Sequence, residues 1–125
     1  MVIGILASFF LASGGADSDI AGIWMTQKQD SKIEISRSPD GTYTGKIIWA
    51  EAPHESFVGT VVMKGVKYDP GNGDYICPWI YDPRINVTAH AYITLNDSVM
   101  KVKACKGLIT KQELFVRESG TGEDR

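Results

Sequence analysis

The sequence predicts an all-β protein, one domain of eight antiparallel strands that run up and down in chain order and close into a barrel. Three observations support this prediction. Apolar and polar residues alternate in short runs, turn-forming residues separate the runs, and no stretch keeps the i, i+3, i+4, i+7 spacing of an amphipathic helix over three turns. The 125 residues suffice for one such domain and not for two.

The predicted strands alternate with connectors of turn-forming residues. The eight strands are residues 20–26, 32–37, 42–50, 57–68, 74–81, 87–95, 99–105 and 111–117. The connectors at 38–41, 69–73, 82–84 and 96–98 combine Asp or Asn with Gly, Pro or Ser, which favours tight turns between consecutive strands. Residues 51–56 can hold one helical turn at most, because Pro53 interrupts a longer helix.

One face of the predicted sheet is apolar. In the third, sixth and seventh strands it comprises Tyr43, Gly45, Ile47 and Trp49; Ala89, Ala91, Ile93 and Leu95; and Met100, Val102 and Ala104. Closing the sheet buries this face and removes exposed edges. A barrel of eight strands is filled by side chains or holds one small ligand, and the small residues Gly45, Ala89 and Ala91 indicate space inside. Pro78 is expected at a bulge or strand end, because it cannot donate to a ladder.

Residues 1–16 predict export from the cytoplasm. They carry no charge, run apolar to Ala12, and place Gly14 and Ala16 where a signal peptidase prefers small residues. The apolar run is shorter than the roughly 20 residues needed to cross a bilayer, so we expect no stable membrane anchor. We therefore expect a signal peptide over 1–16, a barrel domain over 17–118 and a disordered tail over 119–125. The mature protein is expected to be periplasmic or secreted.

The distribution of charge narrows the set of possible partners. Thirteen Lys and Arg lie among fifteen Asp and Glu without forming a basic stripe, which argues against nucleic acid as a partner. No particular protein partner is indicated.

Cys77 and Cys105 could form a disulfide, which an exported protein permits. If both stretches pair with the strand between them, however, the cysteines lie roughly 9–10 Å apart, beyond disulfide reach.

Two sets of motifs resemble known families. Gly22-Ile23-Trp24 on the first strand, with Arg117 on the last, is similar to the Gly-x-Trp and terminal Arg pairing of the calycins, the lipocalin-like barrels. That resemblance implies structural closure of one barrel end by Gly22, Trp24 and Arg117, with the guanidinium over the indole. The segments 45–49, 68–69, 80–83, 94–95 and 101–103 resemble, in order and spacing, the exported bacterial domain of unknown function 2147 family. This second resemblance covers about residues 19–117 and implies a lipocalin-like barrel in the bacterial envelope, with no reaction assigned.

The chain offers no clear catalytic or metal-binding constellation. His54 falls in a connector and His90 on the predicted solvent face, without sequence partners for a triad or a zinc site. Asp82 precedes Pro83, where an Asp commonly accepts backbone N–H groups to begin a turn. The turn around Asp69 lacks the loop length and closing Glu of an EF-hand. We therefore predict a non-enzymatic protein without a cofactor, with no catalytic residues and no metal site.

Aromatic residues on predicted inner faces favour a binding function. The candidate ligand-binding residues are Tyr43, Trp49, Tyr68, Tyr81 and Ala91. The leading hypothesis is an exported protein that holds a small, largely apolar ligand inside the barrel. The alternative is an envelope protein-interaction module with a solid barrel core and Trp79 as a contact residue. An internal cavity of a few hundred Å³ distinguishes the two, because only the first needs one.

Overall fold

The eight strands close into a barrel in the computed structural model, which describes residues 20–118. The strands are β1 (Gly22–Thr26), β2 (Ser31–Arg37), β3 (Tyr43–Ala50), β4 (Val61–Asp69), β5 (Asp74–Asp82), β6 (Val87–Asn96), β7 (Val99–Lys106) and β8 (Ile109–Arg117). A short 3₁₀ turn, Glu55–Phe57, precedes β4, so that strand begins four residues later than the sequence predicts. The predicted signal peptide and tail lie outside the described residues.

Each strand pairs antiparallel with the next, and β8 returns to pair with β1. The predicted all-β, up-and-down barrel of eight strands is therefore confirmed. The joint between β1 and β8, which we call the seam, is short: Trp24 pairs with Arg117, Met25 with Val116, and Thr26 with Phe115. By contrast, β7 and β8 pair over their whole lengths, from Val99 opposite Val116 to Lys106 opposite Ile109. Among residues 20–118, no helix is long and apolar enough to span a membrane.

The two ends of the barrel are packed differently. At the end where β1 begins and β8 finishes, the closed end, large side chains fill the interior. The largest fully buried ones are Trp24, Tyr43, Tyr75, Ile20, Ile35, Met63, Ile93 and Met100. The opposite end, the open end, carries the connections β1–β2, β3–β4, β5–β6 and β7–β8. The hydrophobic core is thus concentrated towards one end, and the other end is available for a site.

The seam is fixed at the closed end by Trp24 and Arg117. Trp24 is fully buried, and its Nε1 donates a hydrogen bond to the Ile20 carbonyl at 3.0 Å. The Arg117 guanidinium carbon lies 4.3 Å from the centroid of the indole ring, a cation–π contact. The same guanidinium donates to the Ala21 carbonyl at 2.9 Å. These contacts tie the segment entering β1 to the last residue of β8.

A β-bulge in β3 changes which residues face inward. Lys32 of β2 pairs with Trp49 but Ile33 pairs with Ile47, so the register skips Ile48. One extra residue reverses the inward and outward alternation beyond it. Ala50 is consequently buried, and Trp49 is 40% exposed on the outer face, under the Lys32 ammonium. The prediction that Trp49 shares an inner face with Ile47 is therefore wrong.

A second irregularity accommodates Pro78. The pairing of β5 with β6 shifts register between Cys77 and Ile80, so Pro78 lies at a bulge, as predicted from its missing N–H. On the neighbouring strand, Gly65 has a φ of +70°, and a Cβ built there would lie 3.1 Å from the Pro78 ring. The absence of a side chain at Gly65 therefore leaves room for the proline.

The two cysteines, considered above as a possible disulfide, are free thiols in the structure. Cys77 pairs with Ala91, and Ala91 pairs with Ala104, the neighbour of Cys105, so strand β6 separates the two. The Cys77 side chain is fully buried, and its thiol donates to the Trp79 carbonyl at 3.1 Å. Burial raises the pKa of the Cys77 thiol to about 11.

We expect the two thiols to alkylate at very different rates in the folded protein. At pH 8 a thiol with a pKa of about 11 is ionised in about one molecule in a thousand, and Cys77 is also enclosed. Cys105 is only half-buried. Peptide mass spectrometry after timed iodoacetamide treatment should show Cys105 modified first, with Cys77 at least about tenfold slower. Both should react in urea, and equal rates in the folded protein would contradict the burial of Cys77.

Candidate ligand-binding cavity

A cavity of about 380 Å³ occupies the open end of the barrel. Its walls come from inward-facing apolar side chains of all strands except β1, whose Thr26 contributes a polar atom. The apolar wall residues include Ile33, Ile47, Ala50, Val62, Met63, Ile80, Val87, Ala89, Val102, Ala104 and Phe115. Phe57 of the 3₁₀ turn closes part of the β3–β4 side. The volume lies within the range of small-molecule sites.

Small residues account for the space at this end. Ala50, Ala89 and Ala104 all line the cavity, where larger residues would fill it. At the closed end a small inward-facing residue leaves no free space, because a neighbouring side chain occupies it. A Cβ built on Gly45 would lie only 3.2 Å from Met63, whose side chain covers that glycine. The position of a small residue along the barrel therefore decides whether it contributes volume.

The structure brings one of the five predicted ligand-binding residues to the cavity. Tyr81 lines its rim, and the Tyr81 hydroxyl donates to the Asn86 side-chain carbonyl at 3.0 Å. Tyr43 and Tyr68 both pack edge-on against Tyr75 in the closed end. Ala91 is fully buried opposite Cys77, and Trp49 lies outside the barrel.

A charged pair stands at the rim on the β5–β6 turn. Asp82 accepts hydrogen bonds from the Arg84 backbone N–H, Nε and NH2 at 3.0, 3.1 and 3.0 Å. The turn-forming interaction expected of Asp82 is therefore present. Burial alone raises the pKa of the Asp82 carboxyl, but the hydrogen bonds from Arg84 and the charges of Arg84 and Lys111 outweigh it and hold that pKa below its usual value. Asp82 and Arg84 therefore hold each other in place at the rim, and their opposite charges largely cancel.

Sequence reasoning missed two charged residues on the inner wall. Lys111 and Glu113 share the alternation of Phe115, which is 7% exposed and packs in the core, and both line the cavity. The signal was present in the spacing, since residues 111, 113 and 115 of one strand must face the same side. The expectation that inward-facing residues are apolar led to these two charged residues being overlooked. Among residues 20–118, no three His, Cys, Asp or Glu side chains are grouped so as to hold a metal ion.

Fold and site together define a class of protein. An eight-stranded up-and-down barrel with one packed end, an indole–guanidinium contact across its seam and an apolar cavity at the other end has the architecture of the calycins. The chain belongs to the family described as "Uncharacterized protein conserved in bacteria (DUF2147)", whose model matches residues 22–117. Neither the curated proteins nor the solved structures contain a significant match to the chain.

Proposed function

We propose that this protein reversibly binds a small, largely apolar molecule in the cavity at the open end. The supporting observation is the cavity itself, about 380 Å³ with predominantly apolar walls. At about 30 Å³ for each water-sized group, it has room for about a dozen non-hydrogen atoms of a ligand. Burial of apolar surface, worth about 25 cal/mol per Å², supplies the driving force.

The size of the cavity also bounds the affinity. At about 0.5 kcal/mol for each buried non-hydrogen atom, within the range known for small ligands, a dozen atoms contribute about 6 kcal/mol. That corresponds to a dissociation constant of tens of micromolar. Such an affinity suits a carrier or buffer that must release its ligand. The proposal involves binding without catalysis, in the periplasm or outside the cell, and the apolar pattern of residues 1–16 supports this location.

The alternative, a protein-interaction module, has weaker support. It rests on an outer-face cluster in which Trp79 stacks on Tyr81 at 5.9 Å and the Lys64 ammonium lies 4.7 Å from the indole centroid. Trp79 therefore already has a partner on each side within the protein. A solid barrel core, which that hypothesis assumes, is also at odds with a cavity of this volume. We therefore favour ligand binding.

Blocking the cavity tests the proposal. Ala104→Trp places an indole among the wall residues, so it should weaken binding of the neutral fluorescent dye 2-naphthol, which is small enough for the cavity, at least tenfold. The matched control is Lys103→Trp, which adds the same side chain one residue earlier on β7 but on the exposed outer face. A fluorescence titration of purified protein measures both variants. Ala89→Trp on β6 provides a second blocking variant.

Wild-type protein and Lys103→Trp should bind the dye alike and saturably. If neither blocking variant loses affinity while both keep the circular dichroism of the wild type, the dye binds elsewhere and the proposal is wrong. It is equally wrong if wild-type protein, unfolded and refolded to remove any carried ligand, takes up no dye.

A further inference from the structure

The inner wall of β8 carries two opposite charges that the barrel leaves without a close partner. Lys111 and Glu113 both line the cavity. Within the part of the chain that the structure describes, neither side chain takes part in a hydrogen bond or a salt bridge. Glu113 is half-buried, and a charge partly removed from water beside apolar walls is costly unless it is paired; Lys111 is exposed at the opening, where it can meet a ligand. A ligand that supplies the missing partners would offset that cost.

The other charges around the cavity are already engaged. Asp82 and Arg84 bond to each other in the β5–β6 turn. Asp30 accepts from the Thr26 hydroxyl at 2.6 Å, and Lys106 donates to the Thr88 carbonyl at 2.9 Å. The charge of Lys111 is felt at Asp82, and that of Glu113 at Arg84, without a direct contact. Lys111 and Glu113 are therefore the charged groups best placed to meet a ligand.

The two charges lie at different depths. Strand β8 enters the barrel from the open end, and Phe115, two residues beyond Glu113, belongs to the buried core. Glu113 pairs with the buried Val102, whereas Lys111 pairs with Ala104 nearer the opening. Two residues of strand span about 7 Å. With the strand tilt usual in barrels, the separation along the barrel axis is about 5 Å.

We propose that the natural ligand is a zwitterionic amphiphile whose cationic group adjoins the apolar tail and whose anionic group lies further out. Its tail would occupy the apolar part of the cavity, its cation would meet the Glu113 carboxylate, and its anion would meet the Lys111 ammonium. This inference rests on the proposed function, because it assigns a ligand class to the same cavity. The reverse order, with the anion next to the tail, places like charges together at both levels.

Two commercial amphiphiles separate these orders. An alkyl sulfobetaine carries the ammonium next to the tail, and an alkylphosphocholine of equal chain length carries the phosphate there; both are neutral overall. Each is titrated, below its micelle-forming concentration, against wild-type protein loaded with 2-naphthol. We expect the sulfobetaine to displace the dye at a concentration at least tenfold lower than the phosphocholine. Equal displacement, or a preference for the phosphocholine, would overturn the inference.

Exchanging the two charges provides the decisive control. The double variant Lys111→Glu and Glu113→Lys keeps composition and net charge but reverses the order, so the preference should invert. A matched exchange on the outer face, Glu34→Lys and Lys46→Glu, alters a cross-strand pair of exposed residues and should leave the ranking unchanged. If the inner double variant does not fold, Glu113→Gln and Lys111→Met replace it. Each of them should reduce the preference to less than about threefold.

The outcomes separate this inference from the function on which it rests. If wild-type protein binds the neutral dye but ranks the two amphiphiles equally, the cavity binds ligands and the charge order is irrelevant to them. If the dye does not bind, the proposed function and the ligand class fail together.

Discussion

Trp24→Ala is expected to lower the free energy of unfolding by about 3–5 kcal/mol, the largest effect of any substitution considered for this barrel. The indole is fully buried at the closed end and fills the space beneath the seam. Its removal leaves a cavity, deprives the Ile20 carbonyl of its donor, and takes away the surface over which the Arg117 guanidinium lies. Urea denaturation followed by far-ultraviolet circular dichroism measures the loss.

Trp49→Ala is the matched control for this prediction. The same residue type is removed, but Trp49 is 40% exposed outside the barrel, with the Lys32 ammonium 5.9 Å from its ring centroid. We expect a loss of about 1 kcal/mol or less, because little buried surface is given up. Losses of equal size for the two variants would mean that burial at the closed end does not dominate stability.

Gly22→Ala is expected to cost about 2–4 kcal/mol, the second-largest effect. Gly22 has a φ of +140°, a backbone conformation that residues with a Cβ avoid. A Cβ there would also lie 2.8 Å from the Arg117 Nη1 atom, so the guanidinium must shift from its position over Trp24. Backbone strain and a weakened cation–π contact therefore act together.

Gly41→Ala separates those two contributions. Gly41 also has a positive φ, +90°, but a Cβ built there meets no atom within 4 Å. This variant should show the backbone cost alone, about 1–2 kcal/mol, and denaturation curves recorded under identical conditions give the difference. If Gly22→Ala is no more destabilising than Gly41→Ala, the contact with Arg117 contributes nothing to the seam.

The sequence was sufficient for the architecture because its signals are local. Alternation with period two and turn residues at each connector specify hairpins, and a run of eight hairpin-forming strands with one apolar face closes into a barrel. Strand ends were less accurate. The predicted start of the fourth strand includes Phe57, which belongs to the 3₁₀ turn, and the predicted last strand omits Ile109 and Thr110.

The site was less predictable because it depends on contacts between strands. Nothing in the third strand shows that the register skips Ile48, and that one residue moves Trp49 outside the barrel. Ala91 and Ala104 look equivalent in the sequence, yet the first is enclosed by its neighbours and the second lines the cavity. Glu113, half-buried in the cavity wall, departs from the assumption that charged residues face solvent. Such outcomes depend on how side chains from distant positions fill the interior.

The short seam has a consequence for the order in which the chain folds. Every other joint of the barrel links neighbours in the chain and can form as a local hairpin, whereas Trp24 and Arg117 are 93 residues apart (117 minus 24). Closing so long a loop costs conformational entropy, and only the three residue pairs between β1 and β8 offset that cost. We therefore expect ring closure to be a late step in folding, and backbone amides of β1 to exchange with deuterium sooner than those of β7.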